Sequence, residues 1–162
     1  MIEAFVENWA KERPDVDTSA KGVVYAIHFA QKALLQNAEK ALREFGIRFG
    51  EYQLLACMRR DGAPYSKTPG DLSRLLGLTS GGVSQILRKL DDKGLVTRDP
   101  LESDQRQVIV TLTSKGLALV EQAFEKITER ENVAMSSVSE EQKQQLRESL
   151  EILLSRLGDN WE

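Results

Sequence analysis

Cysteine occurs once in this chain, at Cys57, and histidine once, at His28. A single cysteine excludes an internal disulfide and suits a reducing compartment. Without a Cys/His cluster there is no ligand set for a structural or catalytic zinc, so no metal is expected. No apolar run approaches the roughly 20 residues of a membrane-spanning helix. The opening residues, MIEAFVENWAKERPD, are too acidic and too polar for a secretory leader. The expectation is a cytoplasmic protein with no membrane partner. Proline (four) and glycine (11) are too few for a low-complexity chain, and no repeat of solenoid length is present. A nucleophile elbow, a phosphate-binding glycine loop and paired catalytic carboxylates are also missing, so neither an enzyme nor a cofactor is expected.

What remains is enough to build a core. Of 162 residues, 41% are hydrophobic and 29% charged, which fits one globular domain with appended helices. The net charge is −3, an unpromising sign for nucleic acid, but it is unevenly spread. Pro64 to Gly116 holds eight Lys/Arg against six Asp/Glu, net +2, and the rest holds 14 against 19, net −5. A mildly basic face on an acidic body follows.

The apolar spacing predicts mostly helices. Ile2, Phe5, Val6 and Trp9 recur at i, i+3, i+4, i+7, and Arg13-Pro14-Asp15 breaks that helix. A long second helix is expected from a cap at Asp17 or Thr18 to about Phe45, ended by Gly46. A third runs from about Phe49 to Arg60, and Ala63 to Lys67 reads as a loop or short edge strand. After the small wing described below come two long helices. One carries Leu117, Val120, Phe124, Ile127 and Ala134 between Ser114 and about Met135. The other opens on the capping box Ser139-Glu140-Glu141-Gln142 and carries Leu146, Leu150, Leu153 and Leu157, widened by Ile152 and Leu154.

The segment Thr68 to Gly116 is the most informative. Thr68 caps a short helix with Pro69 at its first position and Asp71 in its first turn; Leu72, Leu75 and Leu76 face inward and Gly77 ends it. Thr79 then caps a second helix with Val83, Ile86, Leu87 and Leu90 as the buried stripe, ended by Gly94. Leu95 to Arg98 and Gln107 to Leu112 read as strands, joined by a polar connection from Asp99 to Arg106. The order is helix-turn-helix plus wing, which sets one helix in a DNA groove. The outer face of that helix shows Gly81, Ser84, Gln85 and Arg88, with Thr79 and Ser80 at its start and Lys89 on the flank. Gln pairs with adenine and Arg with guanine through two hydrogen bonds in the major groove. Ser80, Ser84 and the first-turn N–H groups suit phosphate oxygens or base edges. Bare Gly81 and Gly82 allow close approach to the sugar-phosphate wall. Arg106 at the ribbon tip suits a narrow minor groove, and Asp104 suits a loop-bracing hydrogen bond. The competing account of all these residues is an ordinary solvated face, with Asp104 and Arg106 a surface ion pair.

Several stretches resemble the MarR family of bacterial transcriptional regulators. They are Asp71-Leu72-Ser73-Arg74-Leu75-Leu76, Thr79-Ser80, Leu90-Asp91-Asp92-Lys93-Gly94-Leu95-Val96-Thr97-Arg98, Asp104-Gln105-Arg106 and Leu112-Thr113-Ser114-Lys115-Gly116. The resemblance implies a single domain over residues 1–162, mainly α with a small β-wing. Residues 1–46 and 114–162 would supply dimerisation helices and residues 47–113 the winged DNA-binding lobe. It also implies a homodimer, with the Leu146/Leu150/Leu153/Leu157 stripe in its interface. Such a dimer binds double-stranded DNA at a pseudo-palindromic operator, usually as a repressor released by a small, often aromatic, anion. Arg98 and the residues named on the helix and wing become the DNA-binding set. Gln105 departs from the family, which more often has Arg there.

Trp9 with Arg13-Pro14-Asp15, the extra first helix, Gly62-Ala63-Pro64-Tyr65 and Thr79-Ser80-Gly81-Gly82 resemble the urate-responsive and PecS-like subgroup. That subgroup usually has an acidic residue where Gln53 stands, so the ligand is left open. Trp9, His28 and Gln53 are the candidate ligand contacts, although a Trp on an amphipathic helix also serves as a packing residue. Cys57, within Leu54-Leu55-Ala56-Cys57-Met58, reads either as a small buried hydrophobe or as a peroxide-sensing thiol. The remaining alternative is a winged-helix protein-interaction module without DNA function.

Overall fold

A computed structural model describes residues 2–101 and 104–158, the side chains of residues 101 and 104–107 excepted. It contains α1 (Ile2–Glu12), α2 (Lys21–Leu42) continued by a 3-10 turn (Arg43–Phe45), α3 (Phe49–Arg60), β1 (Ser66–Lys67), α4 (Pro69–Leu76), α5 (Ser80–Asp92), β2 (Val96–Leu101), β3 (Asp104–Leu112), α6 (Ser114–Ala134) and α7 (Glu140–Gly158). The chain divides into two compact units, Met1–Ile127 and Thr128–Glu162. The architecture is mainly α with a small antiparallel sheet, as the periodicity predicts.

In the first unit the core is built around α3 and α5. Leu54, Leu55, Met58, Leu72, Val83, Leu87, Leu90, Leu95, Val110 and Val120 are all buried. The sheet has strand order β1-β3-β2, with Val96 opposite Leu112, Arg98 opposite Val110 and Ser66 opposite Thr111. The hydroxyls of Ser66 and Thr111 lie 2.7 Å apart across β1 and β3. The two wing strands run further than the sequence predicts, because Asp99 and Pro100 continue the ladder opposite Ile109 and Val108 before an irregularity at Pro100/Leu101. Pro100 fits there because β2 is an edge strand, where a missing N–H donor is tolerated.

Three other local expectations are corrected. The cap of α2 is Ala20 with no side-chain hydrogen bond. Asp17 instead accepts from the Ser19 N–H and closes a turn before the helix begins. Leu75 is 49% exposed, since Leu72 and Leu76, one turn apart on α4, take the inward side. On α6 the buried positions are Gly116, Val120, Ala123 and Ile127, whereas Phe124 is 58% exposed. The stripe is turned toward small residues because α6 runs close to the backbone at Leu95: a Cβ on Gly116 would lie 2.9 Å from the Leu95 carbonyl carbon and nearer still to its oxygen.

In the second unit, Ser139 caps α7 as expected. The Gln142 N–H donates to its hydroxyl at 3.2 Å and Gln142 Oε1 accepts from the Ser139 N–H at 3.0 Å. Along α7, Leu150 and Leu153 are partly covered, while Leu146 and Leu157 are about half exposed and Ile152 and Leu154 more so.

Candidate nucleic-acid interface

The helix-turn-helix is set by two caps and one tight turn. Thr68 Oγ1 accepts from the Asp71 N–H at 3.1 Å and donates to Asp71 Oδ2 at 2.8 Å. That hydroxyl, reinforced by Arg74, holds the Asp71 carboxyl below its usual range. Gly77, at φ 61°, takes the left-handed conformation that ends α4. The Leu78 N–H then reaches back to the Ser73 carbonyl at 3.0 Å, and Ser73 Oγ donates to the Leu78 carbonyl at 2.5 Å. Thr79 immediately caps α5, accepting the Gly82 N–H at 3.1 Å. The turn is thus three residues long, with every bond local.

Val83, Leu87 and Leu90 of α5 are fully buried, and Ile86 is partly covered. The opposite face carries Ser84, Gln85, Arg88 and Lys89, all exposed, with Ser80 and Gly81 exposed at its start. Among the described residues no side-chain hydrogen bond or ion pair engages Ser84, Gln85, Arg88 or Lys89. Donors and acceptors held on a rigid helix without internal partners are free to meet a groove. Arg98 is exposed on β2. The backbone of Asp104 and Arg106 belongs to β3, but their side chains, with that of Gln105, lie outside the described residues.

Gly81 has open space where a Cβ would stand. Gly81→Ala is therefore expected to raise stability by about 0.5 kcal/mol through helix propensity. If the start of α5 approaches a sugar-phosphate wall, the same change lowers DNA affinity. Thermal melts and DNA titrations on one protein sample check both signs.

A cleft of about 690 Å³ opens beside this lobe, lined by residues of α3, α4 and α6 that include Tyr52, Gln53, Cys57, Arg59, Leu76 and Phe124. Arg59 pairs with Glu121 at 2.6 Å and lies over the Tyr65 ring, 5.3 Å from its centroid. Of the three candidate ligand contacts only Gln53 lines this cleft. Trp9, 47% exposed, stands on α1 and His28, also exposed, on α2; the three are not brought together. Cys57 is 3% exposed, with Arg60 Nη2 3.8 Å from its sulfur. Among the described residues no group of three or more His, Cys, Asp and Glu is placed to hold a metal, and no helix is long and apolar enough to cross a membrane.

One buried charge escaped the sequence reading. Glu51, 4% exposed, accepts the Arg48 N–H at 2.8 Å and the Lys93 ammonium at 2.6 Å. Its position three residues after the start of α3's cap was a visible signal, since an acidic residue there commonly reaches back to the cap N–H.

Residues 45–107 match the MarR family profile. The chain is 30% identical over 159 residues to the HTH-type transcriptional regulator PecS of Dickeya dadantii, covering 98% of this chain and 96% of that one. Its fold superposes on the S. aureus MepR–DNA complex with a TM-score of 0.75 and 28% identity, covering 82% of this chain and 96% of the other. It also superposes on a mutant MarR from E. coli complexed with operator DNA, with a TM-score of 0.75 and 22% identity, covering 90% and 97%. With a cap-turn-cap helix pair, a wing sheet and a relative matched over almost its whole length, this chain belongs to the MarR family of winged-helix transcriptional regulators.

Proposed function

We propose that the protein is a homodimeric, sequence-specific DNA-binding repressor that recognises a pseudo-palindromic operator with α5. The observation carrying this reading is the exposed face of Ser84, Gln85, Arg88 and Lys89, without internal partners among the described residues, set back to back with buried Val83, Leu87 and Leu90. The S. aureus MepR–DNA complex, which shares this fold at 28% identity, supports the same use of it. Dimerisation is supported by large apolar side chains left exposed outside the lobe, among them Phe29, Phe124, Val133, Ile152 and Leu154, together with the Leu146/Leu157 edge. On this reading residues 1–46 and 114–162 pair the protomers, and two α5 helices meet successive major grooves about 34 Å apart.

A small-molecule effector would act by preferring a conformation with misplaced recognition helices, weakening operator binding by its differential affinity. The cleft beside Gln53, Arg59 and Phe124 offers an aromatic anion the Phe124 ring and, on displacing Glu121, the Arg59 guanidinium, with Glu125 also on its wall. A thiol switch at Cys57 has less support, since a thiol 3% exposed offers an oxidant little access.

The test is selection of bound duplexes from a random-sequence library, followed by titration at several salt concentrations. A regulator making six to ten phosphate contacts loses about 10³–10⁵ in affinity between 50 and 200 mM salt. Weak binding that ignores salt, with no sequence enriched, would identify a protein-interaction module instead. Retention of DNA at every aromatic acid tested would remove the effector from the proposal.

A further inference from the structure

We propose that Glu51 and Lys93 are positioning residues that set the angle of the recognition helix, so that the protein's ability to distinguish its operator from other DNA depends on their contact. The inference rests on α5 being the DNA-reading helix.

The two ends of α5 are held differently. At its start, the Thr79 cap fixes the first turn locally. Along its length, Val83, Leu87 and Leu90 hold it through apolar contacts, which are strong but do not specify direction. Directional bonds are concentrated at the far end. Lys93 caps α5, and its ammonium donates to Glu51 Oε1 at 2.6 Å and to the Gly46 carbonyl at 2.9 Å. Glu51 is itself fixed, because its other oxygen accepts the Arg48 N–H. The adjoining backbone is held from the opposite side. Lys115 Nζ donates to the Lys93 carbonyl at 2.7 Å and Thr113 Oγ1 to the Gly94 carbonyl at 2.8 Å. The end of α5 is thus clamped between the α2–α3 corner and the start of α6.

Geometry makes that clamp matter at the other end. Thirteen residues give α5 a length of about 20 Å, so a tilt of roughly 5° about its C-terminal end moves its N-terminus by about 1.7 Å. Base readout needs positions held to about 0.5 Å. Phosphate contacts, made by flexible side chains to a uniform backbone, tolerate such a shift far better. Loss of the clamp would therefore reduce specific binding and spare non-specific binding. A Lys93 that merely touched phosphate would lower both, and would leave Glu51 without influence.

The experiment compares full-length wild type with Lys93→Met, Glu51→Gln, their double variant, and the milder Glu51→Asp and Lys93→Arg. The probes are a duplex selected by the wild type from a random library and poly(dI·dC) as non-specific DNA, both measured well below each variant's melting temperature. The expected result is a tenfold or greater loss on the selected duplex for either single variant and less than twofold change on poly(dI·dC). The double variant should be no worse than the weaker single, and Lys93→Arg should recover part of the loss. Should Glu51→Gln fail to fold, Glu51→Asp carries the comparison, with a threefold or greater loss confined to the selected duplex. The proposal is overturned if Glu51 variants bind the selected duplex as wild type does, or if both affinities fall together. Failure of the wild type to select any duplex would instead overturn the functional reading on which the proposal rests.

Discussion

Gly116→Ala is expected to lower the melting temperature by roughly 6–12 °C, because among the glycines it is the one where an added Cβ would run into backbone. A methyl group there would lie 2.9 Å from the Leu95 carbonyl carbon and 3.3 Å from its Cα, with the carbonyl oxygen closer still. The obstacle is backbone, and it has little freedom to retreat. The Leu95 carbonyl accepts the Thr113 N–H at 3.1 Å, and the Gly116 N–H donates to Thr113 Oγ1 at 3.0 Å. Helix α6 cannot back away cheaply either, since Val120, Ala123 and Ile127 on the same side are buried. Overpacking of this kind costs about 3 kcal/mol, and in a chain of this size each kcal/mol is worth about 2–4 °C. Gly50→Ala is the control. Its Cβ would meet only the tip of the Ile86 side chain at 3.6 Å, an ordinary contact, so its melting curve should stay close to that of wild type. Circular dichroism melts decide the matter; a Gly116→Ala curve within 2 °C of wild type would show that α6 moves freely over Leu95.

The elements that were legible in the sequence are those fixed by local chemistry. Thr68, Gly77, Thr79, Gly94 and Ser139 stand where caps and left-handed terminators were expected, because a hydroxyl or a missing Cβ acts within four residues. What the sequence obscured depends on distant neighbours. Phe124 and Ala123 are adjacent, and apolar size favoured Phe124 for the core. The close approach of α6 to Leu95 favours Ala123, and that approach joins residues far apart in sequence. Asp17 fails as a cap for a different, local reason, since an Asp near a helix start has a competing use in the turn before it.

The candidate site divides in the same way. The reading face of α5 follows from period alone: once Val83, Leu87 and Leu90 are inward, Ser84, Gln85 and Arg88 must be outward. The Glu51–Lys93 contact spans 42 residues, and no pattern within either helix announces the partner. The cleft was harder still. Its lining comes from α3, α4 and α6, so neither Arg59 nor Phe124 could be grouped with Gln53 from sequence.

The largest functional effect is expected from Arg88→Ala, which should lower affinity for the selected duplex by about 30-fold or more, because a two-bond base contact is worth about 1–3 kcal/mol and the homodimer loses one in each half-site. Arg88 is exposed and has no hydrogen-bond or ion-pair partner among the described residues, so its removal leaves nothing unsatisfied inside the protein. Stability should therefore change by no more than about 0.5 kcal/mol. That separation distinguishes Arg88 from Gly116, where binding would fall only because the fold does. It also separates Arg88 from Lys89 on the same helix. A side chain reading a base loses discrimination at one position of each half-site when truncated, whereas one touching phosphate weakens every sequence alike and reduces the salt slope by about one per half-site. Competition titrations with duplexes altered one base pair at a time resolve the two cases. Should Arg88→Ala weaken all duplexes equally, the residue serves the phosphate backbone, and Gln85 would be left as the long polar side chain on this face able to read a base.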